Sequence, residues 1–202
     1  MVAISRAGAV PTRSCSSPLG VGDGTVKDNM MRASSSFSPN TVGPENGRLG
    51  SERGGGAWCP ASLVGEGSEE WLEVDLGRRA RITGLVTQGR WAGGQGQEFA
   101  QWVSLQGWQE GGWRGVGGAL AANTNTYSKV EVVVEEEMVT SRVRVVPVSS
   151  HPRMVCLRVE LLGCWLDEKD EENAAGVMEV GEMRGGQVRK DEVNRQKPGG
   201  QV

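Results

Sequence analysis

Between residues 15 and 166 the chain alternates apolar and polar positions with period two, in short runs broken by glycine and polar turns, and this predicts strands. Trp71, Glu73 and Asp75 alternate with Leu72, Val74 and Leu76; Ile82, Gly84 and Val86 alternate with Arg81, Thr83, Leu85 and Thr87. Each run predicts a half-buried strand. Arg142 and Arg144 stand opposite Val143 and Val145, and Arg158 and Glu160 opposite Leu157, Val159 and Leu161, which gives each pair one wet and one dry face. Lys129 to Val134 adds a strand that is β-branched at its end, and the run Glu135, Glu136 and Glu137 after it reads as a solvated turn. No helical period competes, so the pattern predicts an all-β fold of two packed antiparallel sheets. Parity puts Cys156 on the face of Arg158 and Glu160, so its sulfur is expected at the rim of the sandwich and not in its core.

The flanks look different. Residues 1–14 and 167–202 carry scattered charge without apolar periodicity, so both are expected to be disordered tails around one domain at 15–166. The 31 glycines are about twice the usual share and follow no Gly-X-Y period, which points to many turns and not to a collagen-like rod. A net charge of -3 with no arginine-rich run argues against a nucleic-acid partner. Nothing near Met1 reads as a signal peptide and no stretch approaches about 18 apolar residues, so no membrane span is expected.

Four cysteines allow three pairings. On one continuous strand Cys156 and Cys164 would lie about 27 Å apart at ~3.4 Å per residue, far beyond the ~4.4–6.8 Å that a disulfide spans between Cα atoms. That removes the local pair and leaves two connectivities open. Paired cysteines imply an oxidising compartment, and together with the missing export signal they lead to the expectation that the chain is a fragment of a longer protein. A catalytic site does not assemble from this composition. The single histidine, His151, stands beside Pro152 in a turn without a nucleophile, phosphate loop or paired metal ligands, so the domain itself is not expected to be an enzyme.

Three blocks go together: Gly56-Ala57-Trp58-Cys59-Pro60, Thr87-Gln88-Gly89-Arg90, and Cys156 to Cys164 with Leu157-Arg158-Val159-Glu160 inside it. Cys15-Ser16-Ser17-Pro18 opens the series, and Trp71-Leu72-Glu73-Val74-Asp75 precedes the second block. In this order they resemble the discoidin, or F5/8 type C, domain from about Cys15 to Trp165. Arg90-Trp91-Ala92-Gly93-Gly94 through Phe99 resembles in particular the collagen-binding discoidin domain of the discoidin domain receptors.

The resemblance implies a discoidin-type antiparallel β-sandwich, a distorted jelly-roll barrel, with disulfides Cys15–Cys164 and Cys59–Cys156. It implies no cofactor and no metal. It implies that loops at one end form a trench for a fibrillar collagen triple helix: Phe37 as an apolar wall where the receptors usually carry Trp, Thr41 as a neighbouring hydroxyl, Arg90 with Glu98 as a charged pair, the Cys59–Cys156 disulfide beside Trp58 as a floor, and Met154 at the turn before Cys156. Such a module would sit on the extracellular side of the plasma membrane, regulate a tyrosine kinase absent from this chain, reach the membrane only through an absent transmembrane helix, and form a homodimer only in the full-length receptor. Three departures matter: Gly55 replaces an acidic residue that would partner Arg90; the segment from Phe37 to Cys59 is one residue longer than in the receptors, and Met154 takes a position that is commonly small or polar; and within Trp102 to Leu120 the run Gly107-Trp108-Gln109-Glu110-Gly111-Gly112-Trp113 stands where the family shows a Ser-x-Asp-Gly-x-x-Trp hairpin. Competing readings are a phosphatidylserine-binding module, with Trp91 as an apolar spike, and an accessory domain of a secreted carboxypeptidase-like protein.

Overall fold

The computed structural model describes residues 15–167, so the expected tails, 1–14 and all of 167–202 but Asp167, lie outside the described residues. Among the described residues the strands are β1 (Ser17–Pro18), β2 (Met31–Ala33), β3 (Leu72–Gln88), β4 (Trp102–Gln109), β5 (Gly112–Ala121), β6 (Val130–Val148) and β7 (Arg158–Trp165), with one short α-helix, α1 (Pro39–Val42), and three 3-10 turns. These strands pair with one another antiparallel, in the order β1-β7-β3-β6-β4-β5, with β2 beside β3. The path does not close into a ring.

Two long strands serve both halves of this sheet. The first part of β3, Leu72 to Asp75, pairs with Arg142 to Val145 of β6, whereas Ala80 to Gln88 pairs with β7 and with Val130 to Thr140. A register shift after Asp75 lies between these stretches and a second, around Thr83, lies within the latter, and bulges of this kind bend and twist a strand. Both halves contribute to one apolar core, in which Leu72, Val74, Ile82, Leu85, Val103, Leu105, Val143, Val145, Leu157, Val159 and Leu161 have no measurable exposure. Burying each such side chain stabilises the fold by roughly 1.5–3 kcal/mol. The β4–β5 hairpin forms despite its unusual sequence, because Glu110 and Gly111 both adopt positive φ (48° and 78°), the geometry that matches strand twist in a two-residue turn.

The disulfides Cys15–Cys164 and Cys59–Cys156 are present, with Cα separations of 4.9 and 4.3 Å. The first ties the two ends of the domain together. The second sits in a small apolar cluster with Val42 and Ala57, apart from the main core. Cys156 precedes β7 and stays out of the main core, as parity suggested, but at 1 % exposure it is covered by that small cluster and does not stand at an open rim.

Other polar positions correct the wet-face expectation in the same way. Glu73 is 2 % exposed because its carboxylate accepts from Arg142 (2.6 and 3.1 Å) and Arg144 (3.0 Å), which face it across the β3–β6 ladder. Arg144 in turn lies over the Trp71 and Trp113 rings, and Arg142 over Trp108 and Trp113, so guanidinium and indole planes roof the carboxylate. Glu160 is buried by accepting the amides of Gly20, Val21, Gly22 and Leu161. Around Thr83 the bulge turns Leu85, and not Val86, into the core. The three glutamates are exposed as expected, but they form an excursion within β6 and not a turn that follows a strand.

Candidate functional site

Residues at one end of the sandwich are tied to one another by backbone contacts before any side chain takes part. The amide of Phe37 donates to the Cys59 carbonyl (2.9 Å), Cys59 donates to Val42 (3.2 Å), and Gly55 donates to Thr41 (2.5 Å). Ser38 and Pro39 open α1, the residue types that favour a helix start, and this turn sets Thr41 and Val42 against the loop of Gly54 to Cys59. Opposite them, the segment after β3 closes on itself through Arg90 N to Glu98 O (2.9 Å) and Gly96 N to Trp91 O (3.0 Å). A Cβ at Gly96 would fall 2.0 Å from the Arg90 carbonyl oxygen, so only glycine permits this closure.

These loops enclose a cleft of about 450 Å³ lined by Phe37, Thr41, Arg90, Glu98 and Met154. Cys59 and Cys156 form part of its floor. Phe37 lines this cleft while remaining 67 % exposed. Trp58 does not reach the surface: it is 0 % exposed and its indole N–H donates to the Ser35 carbonyl at 2.9 Å. The expectation that it touches a ligand is therefore corrected, since the ring is core packing behind the disulfide.

Arg90 donates from Nε to the Gly55 carbonyl (2.7 Å) and from its terminal nitrogen to Glu98 (3.0 Å). The glycine that replaces an acidic side chain thus supplies a main-chain partner in its place. Burial works against charge on Glu98, yet the Gln97 amide and the Arg90 guanidinium outweigh it and hold the carboxyl below its ordinary range. The result is an apolar cleft with one fixed, partly exposed ion pair along its wall. His151 is exposed, with its ring Nδ1 2.9 Å from the Ser150 hydroxyl.

Sequence reasoning missed Ser38 and Val42, which also line the cleft, although the Ser38-Pro39 start signal was legible. It also missed Arg158. This side chain is 1 % exposed and donates to the carbonyls of Gly89 (2.7 Å), Ser51 (3.0 Å) and Thr126 (3.2 Å), and to the Glu52 carboxylate. One buried guanidinium therefore joins three loops at this end, including the residue just before Arg90. Burial pulls its pKa down against the opposing pull of Glu52.

With this geometry in place, comparison with known proteins is decisive for the family. The model of the F5/8 type C domain matches residues 31–161. The chain belongs to the F5/8 type C, or discoidin, family. It is 34% identical over 167 residues to discoidin domain-containing receptor tyrosine kinase B of Caenorhabditis elegans, a match covering 79% of this chain and 21% of the receptor. It is 39% identical over 160 residues to human epithelial discoidin domain-containing receptor 1, covering 76% of this chain and 17% of the receptor. Mouse lactadherin is 34% identical over 160 residues, covering 74% of this chain and 34% of lactadherin. Discoidin II of Dictyostelium discoideum superposes with a TM-score of 0.56 at 17% identity, covering 68% of this chain and 56% of that one, a likeness of fold alone. The chain spans about a fifth of the length of the receptors it matches.

Proposed function

We propose that this discoidin domain binds triple-helical collagen, and that the cleft between α1 and the Arg90–Glu98 loop is its recognition site. The observation that carries the reading is convergence: an exposed aromatic wall, a hydroxyl, a fixed ion pair and a disulfide floor, drawn from segments far apart in sequence, share one cleft. A triple helix has no free backbone edge and displays only X and Y side chains and outward carbonyls, so its partner must take projecting apolar groups while donating hydrogen bonds beside them. Phe37, Met154 and the disulfide suit a Met or Phe side chain; Arg90 and Thr41 supply the donors.

By the same reading the domain works in an oxidising, extracellular setting, which its two disulfides and its similarity to receptor ectodomains support. No described helix is long and apolar enough to cross a membrane. Collagen control of a kinase, and dimerisation in a full-length receptor, belong to this proposal as well. The competing reading is a phosphatidylserine-binding module, and the exposure of Trp91 (41 %) favours it. Binding of the full chain to immobilised native collagen, measured against heat-denatured collagen and phosphatidylserine vesicles, separates the two.

A further inference from the structure

Trp91 and Tyr127 lie outside the set of residues that line the cleft. Trp91 and Tyr127 pack edge to face, ring centroids 5.6 Å apart, while remaining 41 % and 59 % exposed. Both stand on fixed backbone. The Trp91 carbonyl accepts from Gly94 (2.9 Å) and Gly96 (3.0 Å), the Tyr127 carbonyl accepts from Gln88 (2.7 Å), and the Tyr127 amide donates to the Asn125 side chain (3.1 Å). The neighbouring Thr126 carbonyl is held by buried Arg158. Two large rings are thus presented to solvent by a rigid frame, so ordering them on binding costs little entropy.

We infer that the Trp91–Tyr127 pair is a second subsite for the same ligand, one that takes a proline or hydroxyproline ring of the triple helix beside the residue held in the cleft. This rests on the collagen reading above. Trp91 directly follows Arg90, whose side chain lines the cleft, so the backbone that carries the Trp91 ring lies about 3.8 Å, one peptide unit, from a cleft residue. The chains of a triple helix are PPII-like and rich in imino acids, and aromatic-lined surfaces are the recurrent partners of PPII chains. A rod engaged at Phe37 and Arg90 therefore meets two preorganised aromatic rings next to that contact.

The test is binding of the full chain, and of its Trp91→Ala, Trp91→Phe, Tyr127→Ala and Arg90→Ala variants, to triple-helical peptides. These carry a central guest with Met and Phe, flanked either by Gly-Pro-Hyp triplets or by one Gly-Ala-Ala triplet on each side within a Gly-Pro-Hyp host. Melting curves establish that each variant is folded. The expected result is that Trp91→Ala and Tyr127→Ala each weaken binding to the imino-flanked peptide by about tenfold, that Trp91→Phe largely preserves it, and that neither alanine variant matters for the alanine-flanked peptide. If Trp91→Ala and Tyr127→Ala bind like wild type while Arg90→Ala does not bind, the subsite is refuted and the cleft reading stands. If wild type ignores both peptides, or binds phosphatidylserine vesicles instead in a Trp91-dependent manner, both are overturned.

Discussion

Replacing Arg158 by Met keeps the side chain's approximate length and apolar stem but removes every donor. In the wild type that guanidinium holds the Gly89 and Thr126 carbonyls, both in buried hydrogen bonds, and the Ser51 carbonyl and Glu52 carboxylate in partly buried ones. Glu52 is 43 % exposed on its side chain and regains water, so its loss costs little. The two buried carbonyls do not, and each orphaned polar group costs about 1–3 kcal/mol. Two such groups together cost about 2–6 kcal/mol, and the middle of that span, about 3–5 kcal/mol, is the expected destabilisation of Arg158→Met. For a domain of this size it corresponds to a fall in melting temperature of roughly 6–20 °C. Urea unfolding with disulfides intact measures it. Because the three loops joined by Arg158 include the one that begins at Arg90, collagen binding should weaken as well. A variant within about 0.5 kcal/mol of wild type would refute the reasoning, since it would mean that water reaches these carbonyls freely.

Replacing Cys59 and Cys156 together by Ser should destabilise the domain by up to about 4–5 kcal/mol in the chain-entropy account of a closed loop of 97 residues, and should abolish the cleft floor; thermal unfolding and collagen binding read out each effect. The Arg90–Glu98 pair sets an acid limit. Because the folded-state pKa of Glu98 lies below its unfolded value, the pair's contribution is fully present above the ordinary glutamate range of about 4.3 and is lost as pH falls through the lower folded value, so binding should be flat from pH 8 to 5 and decline only below about pH 4. Phe37→Trp enlarges an aromatic wall that is already 67 % exposed, so it should bind native collagen at least as tightly as wild type in surface-immobilised assays.

The sequence carried the strands well where apolar residues alternate with period two, as at Val143 and Val145, because an inward-facing side chain needs no partner beyond the common core. It misled where charge was taken to mean water. Glu73, Arg158 and Glu160 are all buried, each satisfied by groups distant in sequence: Arg142 and Arg144 for the first, three loop carbonyls for the second, the amides of Gly20, Val21 and Gly22 for the third. Period-two reasoning assigns a face but contains no information on what covers it. Thr83 shows a second limit, since an excursion opposite one residue inverts the parity that follows. The cleft was legible only through the family blocks. Nothing local to Phe37 or Met154 indicates that they meet Arg90; the backbone ties among Phe37, Cys59, Val42, Thr41 and Gly55 create that proximity, and these are long-range contacts.

The central claim is tested most directly by equilibrium binding of the full chain to immobilised native collagen beside the same collagen denatured by heat. Separated chains lose the fixed presentation of apolar side chains that the cleft is proposed to read. The account predicts saturable binding to the native triple helix and none to the denatured chains, with Arg90→Ala and Glu98→Ala each weakening binding by about 1–3 kcal/mol while the melting temperature stays near that of wild type. Equal binding to native and denatured collagen, or binding to neither while phosphatidylserine vesicles are bound, would contradict it.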